Sequence, residues 1–141
     1  MVVFSVFICG VSFTGLIQLG YTQNTEVEMM TVGYQGFLAD PNQRPLSGNY
    51  TLTFRLYTTA TQGETIWEEL HIATPVEQGR FAVDLGSITP WPSDLDSQGS
   101  LYLGLTVDTA DELSPRLKIG ASLRSRWAEK SIASDLSLIH I

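Results

Sequence analysis

The stretch that decides the fold is Tyr50–Tyr57 (YTLTFRLY), in which large apolar side chains occupy every second position from residue 50 to residue 56. Successive side chains of a β-strand point to opposite faces, so Leu52, Phe54 and Leu56 share one face. The same period of two recurs at 81–85 and at 101–107. This repeated alternation predicts an all-β domain whose strands each bury one face.

Turn-forming residues separate the strands at short intervals. Pro and Gly lie between the first two strands at 40–49, and Gln78-Gly79 predicts a tight turn between Val76 and Phe81. Less regular strands are predicted at 32–38, 65–72, 74–77 and 116–119. Together these signals favour an antiparallel β-sandwich of about seven strands, Ig-like or prealbumin-like, over 24–121. A helical stripe predicts a short C-terminal helix or linker at 122–135.

The two ends of the 141-residue chain are expected to lie outside this domain. Residues 1–19 are almost purely apolar, which predicts that 1–23 form an export signal cleaved near 20–24, with an uncleaved membrane anchor as the alternative. Residues 136–141 (LSLIHI) are typical of in-frame read-through of a sequencing adapter. On that interpretation the natural protein continues beyond Asp135 into a missing C-terminal region.

Composition excludes several classes of function. The 8 basic and 15 acidic residues give a net charge of −7, which argues against nucleic-acid binding. A single cysteine excludes a disulfide framework and a thiolate zinc site. No nucleophile elbow, phosphate loop or dinucleotide fingerprint occurs. His71 shares a strand face with Glu69, but a surface hydrogen bond or cross-strand contact is the favoured interpretation. We therefore predict a protein that is not an enzyme and holds no cofactor.

One loop has part of a calcium-binding pattern. Asp94, Asp96 and Gln98 supply oxygen atoms at positions 1, 3 and 5, and Gly99 follows them. The bidentate Glu that position 12 requires is absent, because that position is Leu105. A polar loop before a strand is therefore favoured, and these residues are a weak calcium candidate.

Three aromatic residues are candidate contacts for a sugar ring: Trp91, Tyr102 and Tyr57. Trp91 lies between Pro90 and Pro92, which predicts a stiff, exposed turn. Packing is nevertheless the favoured role for Trp91, as it is for Trp67 within its predicted strand.

An ordered series of motifs resembles a known pattern. Gly33–Asp40 (GYQGFLAD) and Pro45–Tyr50 (PLSGNY) are followed by Leu52–Tyr57, then by Trp67–Glu69 and, near the end, by Glu112–Arg116 (ELSPR). Over about residues 32–128, this series resembles the N-terminal β-sandwich module of secreted bacterial tail-fibre-like and cell-surface proteins. Some such proteins carry a C-terminal endosialidase-type intramolecular chaperone domain.

The resemblance supplies no catalytic residue, and the sequence departs from the pattern at two places. Gln43 stands where the pattern has Gly, which predicts a different type of first turn. Leu123–Ala128 stands where the pattern has a Pro-Tyr-Ala element, so the path by which the chain leaves the domain is expected to differ.

These observations predict a non-enzymatic structural or adhesive module of a longer exported bacterial protein, secreted or at the cell surface. Its partners would be proteins or surface glycans, bound through loops or by strand addition at exposed sheet edges. Membrane contact would occur only through an uncleaved N-terminal segment. The alternatives are a carbohydrate-binding module and an accessory domain of a secreted hydrolase.

Overall fold

The computed structural model describes residues 2–8, as a backbone strand, and residues 30–120. These residues contain seven β-strands and no helix. The strands are β1 (Val2–Ile8), β2 (Val32–Ala39), β3 (Gly48–Tyr57), β4 (Thr65–Val76), β5 (Arg80–Leu85), β6 (Leu101–Val107) and β7 (Leu117–Ile119). The predicted helix at 122–135 and the segment 136–141 lie outside the described residues.

Two antiparallel sheets contain these strands. One sheet has three strands in the order β1-β2-β5, and the other has four in the order β4-β3-β6-β7. The edge strands are therefore β1 and β5 in the first sheet, and β4 and β7 in the second. The prediction of an all-β fold is confirmed for the described part of the chain.

The alternating apolar residues at 50–57 bury one face of β3, as predicted. Leu52, Phe54 and Leu56 are fully buried, and each stands opposite an apolar residue of β6. The opposing residues are Val107, Leu105 and Leu103, which are also buried. Cross-strand apolar pairs on one face are the main source of stability in a sheet, so this face forms a core.

The chain comprises two compact units, one formed by 1–51 with 71–90 and the other by 52–70 with 91–141. In the first unit, the buried side chains of β2, β4 and β5 include Val32, Tyr34, Leu38, Val76, Phe81 and Leu85. In the second unit, the buried side chains include the β3–β6 pairs together with Trp67, Leu95, Leu101 and Ile119.

A glycine in the first unit makes room for an aromatic ring. Gly36 pairs with Phe81 across β2 and β5, and a Cβ at residue 36 would lie 2.5 Å from Phe81 Cζ. The Phe81 ring also packs beside Tyr34, with centroids 6.0 Å apart. The Gly36 of the Tyr-Gln-Gly motif is therefore required for packing.

The turn after β2 is held by one carboxylate. Asp40 Oδ1 accepts hydrogen bonds from the backbone N–H of Asn42 at 2.8 Å and of Arg44 at 2.9 Å. Gln43 has a φ of 63° in this turn. Gln43 thus adopts the left-handed conformation that glycine favours, at the position where the resemblance has glycine.

The region 65–79 differs in one respect from the predicted pattern. The strands predicted at 65–72 and 74–77 form one strand, β4, in which Ala73 has a φ of 54°. The predicted break is therefore a local irregularity within β4. The tight turn is confirmed, because Gln78 and Gly79 both have positive φ and their flanking residues form a backbone bridge.

The first residues of the predicted export signal form β1. This strand pairs antiparallel with β2, with Val3 opposite Leu38 and Phe7 opposite Gln35. The predicted cleavage region at 20–24 lies outside the described residues. Cleavage therefore stays a prediction.

Candidate functional site

The second unit carries a cluster of polar and aromatic side chains on one face of its sheet. In the β3–β6 register, Tyr57 stands opposite Tyr102, and in the β6–β7 register Tyr102 stands opposite Lys118. Two residues before Tyr57 in β3, Arg55 stands opposite Gly104 of β6. This face is the reverse of the one that buries Phe54 and Leu56, because strand side chains alternate. We call it the outer face of the four-stranded sheet.

Tyr57, Glu112 and Arg116 form a latch on this outer face. The Tyr57 hydroxyl donates a hydrogen bond to Glu112 Oε2 at 2.6 Å, and Arg116 Nε donates to Glu112 Oε1 at 2.6 Å. The Arg116 guanidinium carbon lies 3.3 Å from the centroid of the Tyr57 ring. Both carboxylate oxygens and one face of the ring are therefore engaged within the chain.

Arg116 extends the latch to a second loop. Its Nη1 donates hydrogen bonds to the carbonyl oxygens of Thr59, at 3.1 Å, and Gln62, at 2.7 Å. The side chain of Arg116 is only 11 % exposed, and that of Glu112 is 23 % exposed. The loop at 108–116 and the loop after β3 are thus held to one sheet by the same half-buried cation.

Gly104 provides the space in which the Glu112 carboxylate lies. A Cβ at residue 104 would be 2.5 Å from Glu112 Oε2 and 2.6 Å from Glu112 Cδ. Any larger residue would displace the carboxylate from Tyr57 and Arg116. The backbone N–H of Leu113 also donates to the carbonyl of Leu105 at 2.8 Å, which holds the loop against β6.

A second arginine–glutamate pair lies on the same face but is more exposed. Arg55 Nε donates to Glu68 Oε2 at 2.5 Å, and Arg55 Nη1 donates to Thr106 Oγ1 at 3.1 Å. The side chains of Arg55 and Glu68 are 30 % and 52 % exposed. Water therefore screens this pair far more than it screens the latch.

The latch changes the acidity of its tyrosine. Burial of the ring raises the pKa of Tyr57 above its ordinary value, and the hydrogen bond to the Glu112 carboxylate raises it further. Both effects disfavour the phenolate, one by desolvation and the other by placing a negative charge beside the oxygen. Tyr57 is therefore a neutral hydrogen-bond donor at physiological pH.

The structure does not gather the three predicted sugar contacts into one site. Tyr57 and Tyr102 lie side by side on the outer face, where Tyr102 is half-buried and Arg116 covers one face of the Tyr57 ring. Trp91 instead stacks on the buried Trp67, with centroids 4.1 Å apart and planes 21° apart. Trp91 is half-buried rather than exposed as its flanking prolines predict, and it packs against Trp67. A ligand contact by Trp91 stays a prediction.

The loop that contains the calcium candidates is anchored by the buried side chain of Leu95. Leu95 is 2 % exposed, and Gln98 Nε2 donates to Asp94 Oδ2 at 2.9 Å. Ser97 Oγ donates to the Asp94 carbonyl at 2.7 Å, while Asp96 is exposed. Within the described part of the chain, no group of three or more His, Cys, Asp or Glu side chains is placed to hold a metal ion. Calcium binding here stays a prediction.

The acidic pair of β4 separates as alternation predicts. Glu68 is exposed and pairs with Arg55, whereas the next side chain, Glu69, is 1 % exposed. Glu69 is therefore not a surface residue, and the cross-strand contact that is the other favoured interpretation for Glu69 and His71 stays a prediction. His71 is half-buried, and its carbonyl accepts a hydrogen bond from Thr74 Oγ1 at 3.3 Å.

In the sequence, Glu112 and Arg116 stand out only as part of the motif Glu112–Arg116, and this motif predicts no role for them. Two signals were available: the spacing of four between opposite charges, and a glycine at position 104 inside an otherwise apolar strand. Neither signal identifies Tyr57 as the partner, because 55 residues separate Tyr57 from Glu112.

The described residues include no helix of the length and apolarity needed to cross a bilayer.

Comparison with known families matches residues 33–116 to a domain of unknown function, DUF8740. The chain belongs to this family. The DUF8740 match begins within β2 and ends at Arg116, so it contains Gly36, the Asp40 turn and all three latch residues. No curated protein and no solved structure matches the chain significantly.

Proposed function

We propose that this chain is a non-enzymatic structural or adhesive module of a longer exported bacterial surface or tail-fibre-like protein, built as a β-sandwich. The observation that carries the proposal is the latch, which ties two loops to one sheet through three side chains. Loops on a fixed scaffold are the usual carriers of binding residues in all-β modules.

Fixed loops favour binding because they lose their conformational freedom when the protein folds, so that little further entropy is lost on association. Each mobile side chain that is ordered at an interface costs about 0.5–1.5 kcal/mol, and a preformed loop avoids part of that cost. The Asp40 turn offers a second loop of this kind, with two backbone N–H groups bound to one carboxylate. The module would therefore present a surface that changes little on contact.

Export is supported by the sequence at the N-terminus. Residues 1–19 contain no charged side chain, and the chain has only one cysteine, which lies within this segment. A domain stabilised by apolar pairs rather than by disulfides needs no oxidative step after export. The resemblance to secreted tail-fibre-like proteins agrees with this location.

The proposal is tested by producing the full chain with a C-terminal tag in a bacterium and measuring where the tagged chain is located. We expect the tagged chain outside the cytoplasm and bound to cell-surface material in a sedimentation assay. Glu112→Ala should weaken that binding while circular dichroism still reports a β-fold, and Glu68→Ala, its exposed counterpart, should not. Retention in the cytoplasm, or equal binding by both variants and the parent chain, would contradict the proposal.

Carbohydrate binding is a second candidate, favoured by the position of Tyr102. This half-buried ring lies between Tyr57 and Lys118 on the outer face, an aromatic surface flanked by a cation. A glycan array probed with the full chain distinguishes the candidates. Binding that Tyr102→Ala abolishes and Trp91→Ala spares would assign the glycan to the outer face. The absence of any bound glycan would leave the structural or adhesive role alone.

A further inference from the structure

A groove opens at the surface of the first unit, where the chain entering β3 and the turn after β4 lie beside β5. Its volume is about 830 Å³, within the range of about 300–1,000 Å³ that is typical of small-molecule sites. All of its lining residues belong to the first unit, and none of them belongs to the latch. The groove is therefore a feature of one compact unit and is distinct from the outer face of the four-stranded sheet.

Backbone hydrogen bonds fix the two walls of this groove, which are the chain entering β3 and the turn after β4. Leu38 N–H donates to the Gly79 carbonyl at 2.7 Å, and Gly79 N–H donates to the Leu46 carbonyl at 2.7 Å. Leu46 N–H in turn donates to the Leu38 carbonyl at 3.1 Å, which closes a ring of three bonds. Gln78 N–H also donates to Ser47 Oγ at 3.2 Å. Both walls are thus held in place before any ligand arrives.

The described residues that line the groove include three amide side chains and carry no net charge. The amides come from β2, β3 and the turn after β4, at Gln35, Asn49 and Gln78, and all three residues are exposed. One cation, Arg80, and one anion, Glu77, also line the groove. An amide side chain offers both donors and an acceptor, so these three suit a ligand whose own polar groups donate and accept hydrogen bonds.

This composition narrows the class of ligand. A phosphate or a nucleic acid needs an excess of cations and a metal ion needs several anionic ligands, whereas the groove has one charge of each sign. A lipid or an apolar peptide side chain needs open apolar surface, yet Val76 and Phe81 in the lining are only 2 % and 4 % exposed. A neutral saccharide meets both conditions, because it is uncharged and each of its hydroxyl groups donates and accepts hydrogen bonds.

We propose that this groove binds a neutral oligosaccharide through the amides of Gln35, Asn49 and Gln78. Gln35 stands opposite Ala82 in the β2–β5 register, and the short side chain of Ala82 leaves the groove open beside this amide. Because the walls are fixed by hydrogen bonds, little conformational entropy is lost when the ligand binds. The inference rests on the adhesive part of the proposed function and deepens it, since it names the ligand class and the site of attachment.

The purified full chain is tested on an array of neutral and acidic oligosaccharides, and the neutral one that it retains best is titrated in solution. We expect binding of neutral oligosaccharides. Gln35→Ala and Asn49→Ala should each raise the dissociation constant by about two- to tenfold, the effect of one lost hydrogen bond. Ala82→Ile should remove detectable binding, because the branched side chain fills the groove and is well tolerated in a strand.

Asp84 provides matched controls for both kinds of variant. It lies two residues after Ala82 on the same face of β5, is exposed, and does not line the groove. Asp84→Ala and Asp84→Ile should therefore leave the dissociation constant of a neutral oligosaccharide unchanged. Circular dichroism and urea unfolding of every variant show whether a loss of binding reflects a loss of folding.

Three outcomes would overturn the inference: no oligosaccharide is retained, only acidic ones are retained, or Tyr102→Ala abolishes binding while Ala82→Ile spares it. In the last case the ligand lies on the outer face of the four-stranded sheet. An exported chain that attaches to cell-surface material equally well with Ala82→Ile would also overturn the inference and leave the proposed function intact. Retention of the chain in the cytoplasm would contradict the proposed function, whatever the array shows.

Discussion

Replacement of Glu112 by alanine tests the energetic importance of the latch. The change removes the acceptor of two short hydrogen bonds, from Tyr57 and from Arg116. Hydrogen bonds to charged groups contribute about 1.5–3 kcal/mol each, and loss of one partner of a buried ion pair costs about 3–5 kcal/mol. Glu112 is 23 % exposed, and Arg116 retains two carbonyl acceptors, so we expect a loss of about 2–3 kcal/mol.

The same chain contains the control. Glu68→Ala removes an equally short bond to an arginine, but the two side chains are 30 % and 52 % exposed. Exposed ion pairs contribute about 0–1 kcal/mol, so the two variants should differ by about 2 kcal/mol. Urea unfolding of the full chain, followed by tryptophan fluorescence and circular dichroism, measures both losses. Equal losses, or a loss below about 0.5 kcal/mol for Glu112→Ala, would refute the argument from burial.

Three other changes have defined outcomes. Gly104→Ala should destabilise the parent chain by about as much as Glu112→Ala does. The same change should cost much less when Glu112 is already alanine, because the added methyl group then meets no carboxylate. Additive losses in this double-mutant cycle would show that Gly104 does not act by making room for Glu112. Gln43→Gly should raise the free energy of unfolding by about 0.5 kcal/mol, because relief of a left-handed φ outweighs the added backbone entropy; a loss would show that the Gln43 side chain is needed. Burial raises the pKa of both Tyr34 and Tyr57, so the stability that depends on their protonation should be constant well below pH 10.0 and fall as the pH rises above it, since the unfolded chain releases these protons first. Tyr34→Phe should flatten that slope in pH-dependent unfolding, and an unchanged slope would contradict the assignment.

Much of the strand pattern could be predicted because apolar and polar residues alternate within single short segments of the sequence. Leu52, Phe54 and Leu56 identify β3 and its buried face, and Gln78-Gly79 identifies a turn that needs two positive φ angles. The sequence predicts two strands where the structure has the single strand β4, because the last residues of β4 lack a regular apolar alternation. A backbone irregularity at Ala73 that leaves the ladder intact has no such local signal.

The latch could not be predicted for a different physical reason. Its bonds join Tyr57 to residues more than 50 positions away, and their geometry depends on the β3–β6 register and on the absence of a side chain at residue 104. The burial of Glu69 likewise reflects tertiary surroundings, because its sequence neighbours Glu68 and Leu70 are exposed. Alternation assigns each side chain to a face but does not determine what covers that face.

The division of the chain into two discontinuous units limits how the protein can be engineered. β3 and β4 each pass from one unit to the other, at residues 51–52 and 70–71. Neither half can be excised as an uninterrupted stretch of polypeptide, so a truncation library would yield fragments with incomplete cores. Minimal versions of this molecule would have to be reached by shortening its loops or by circular permutation.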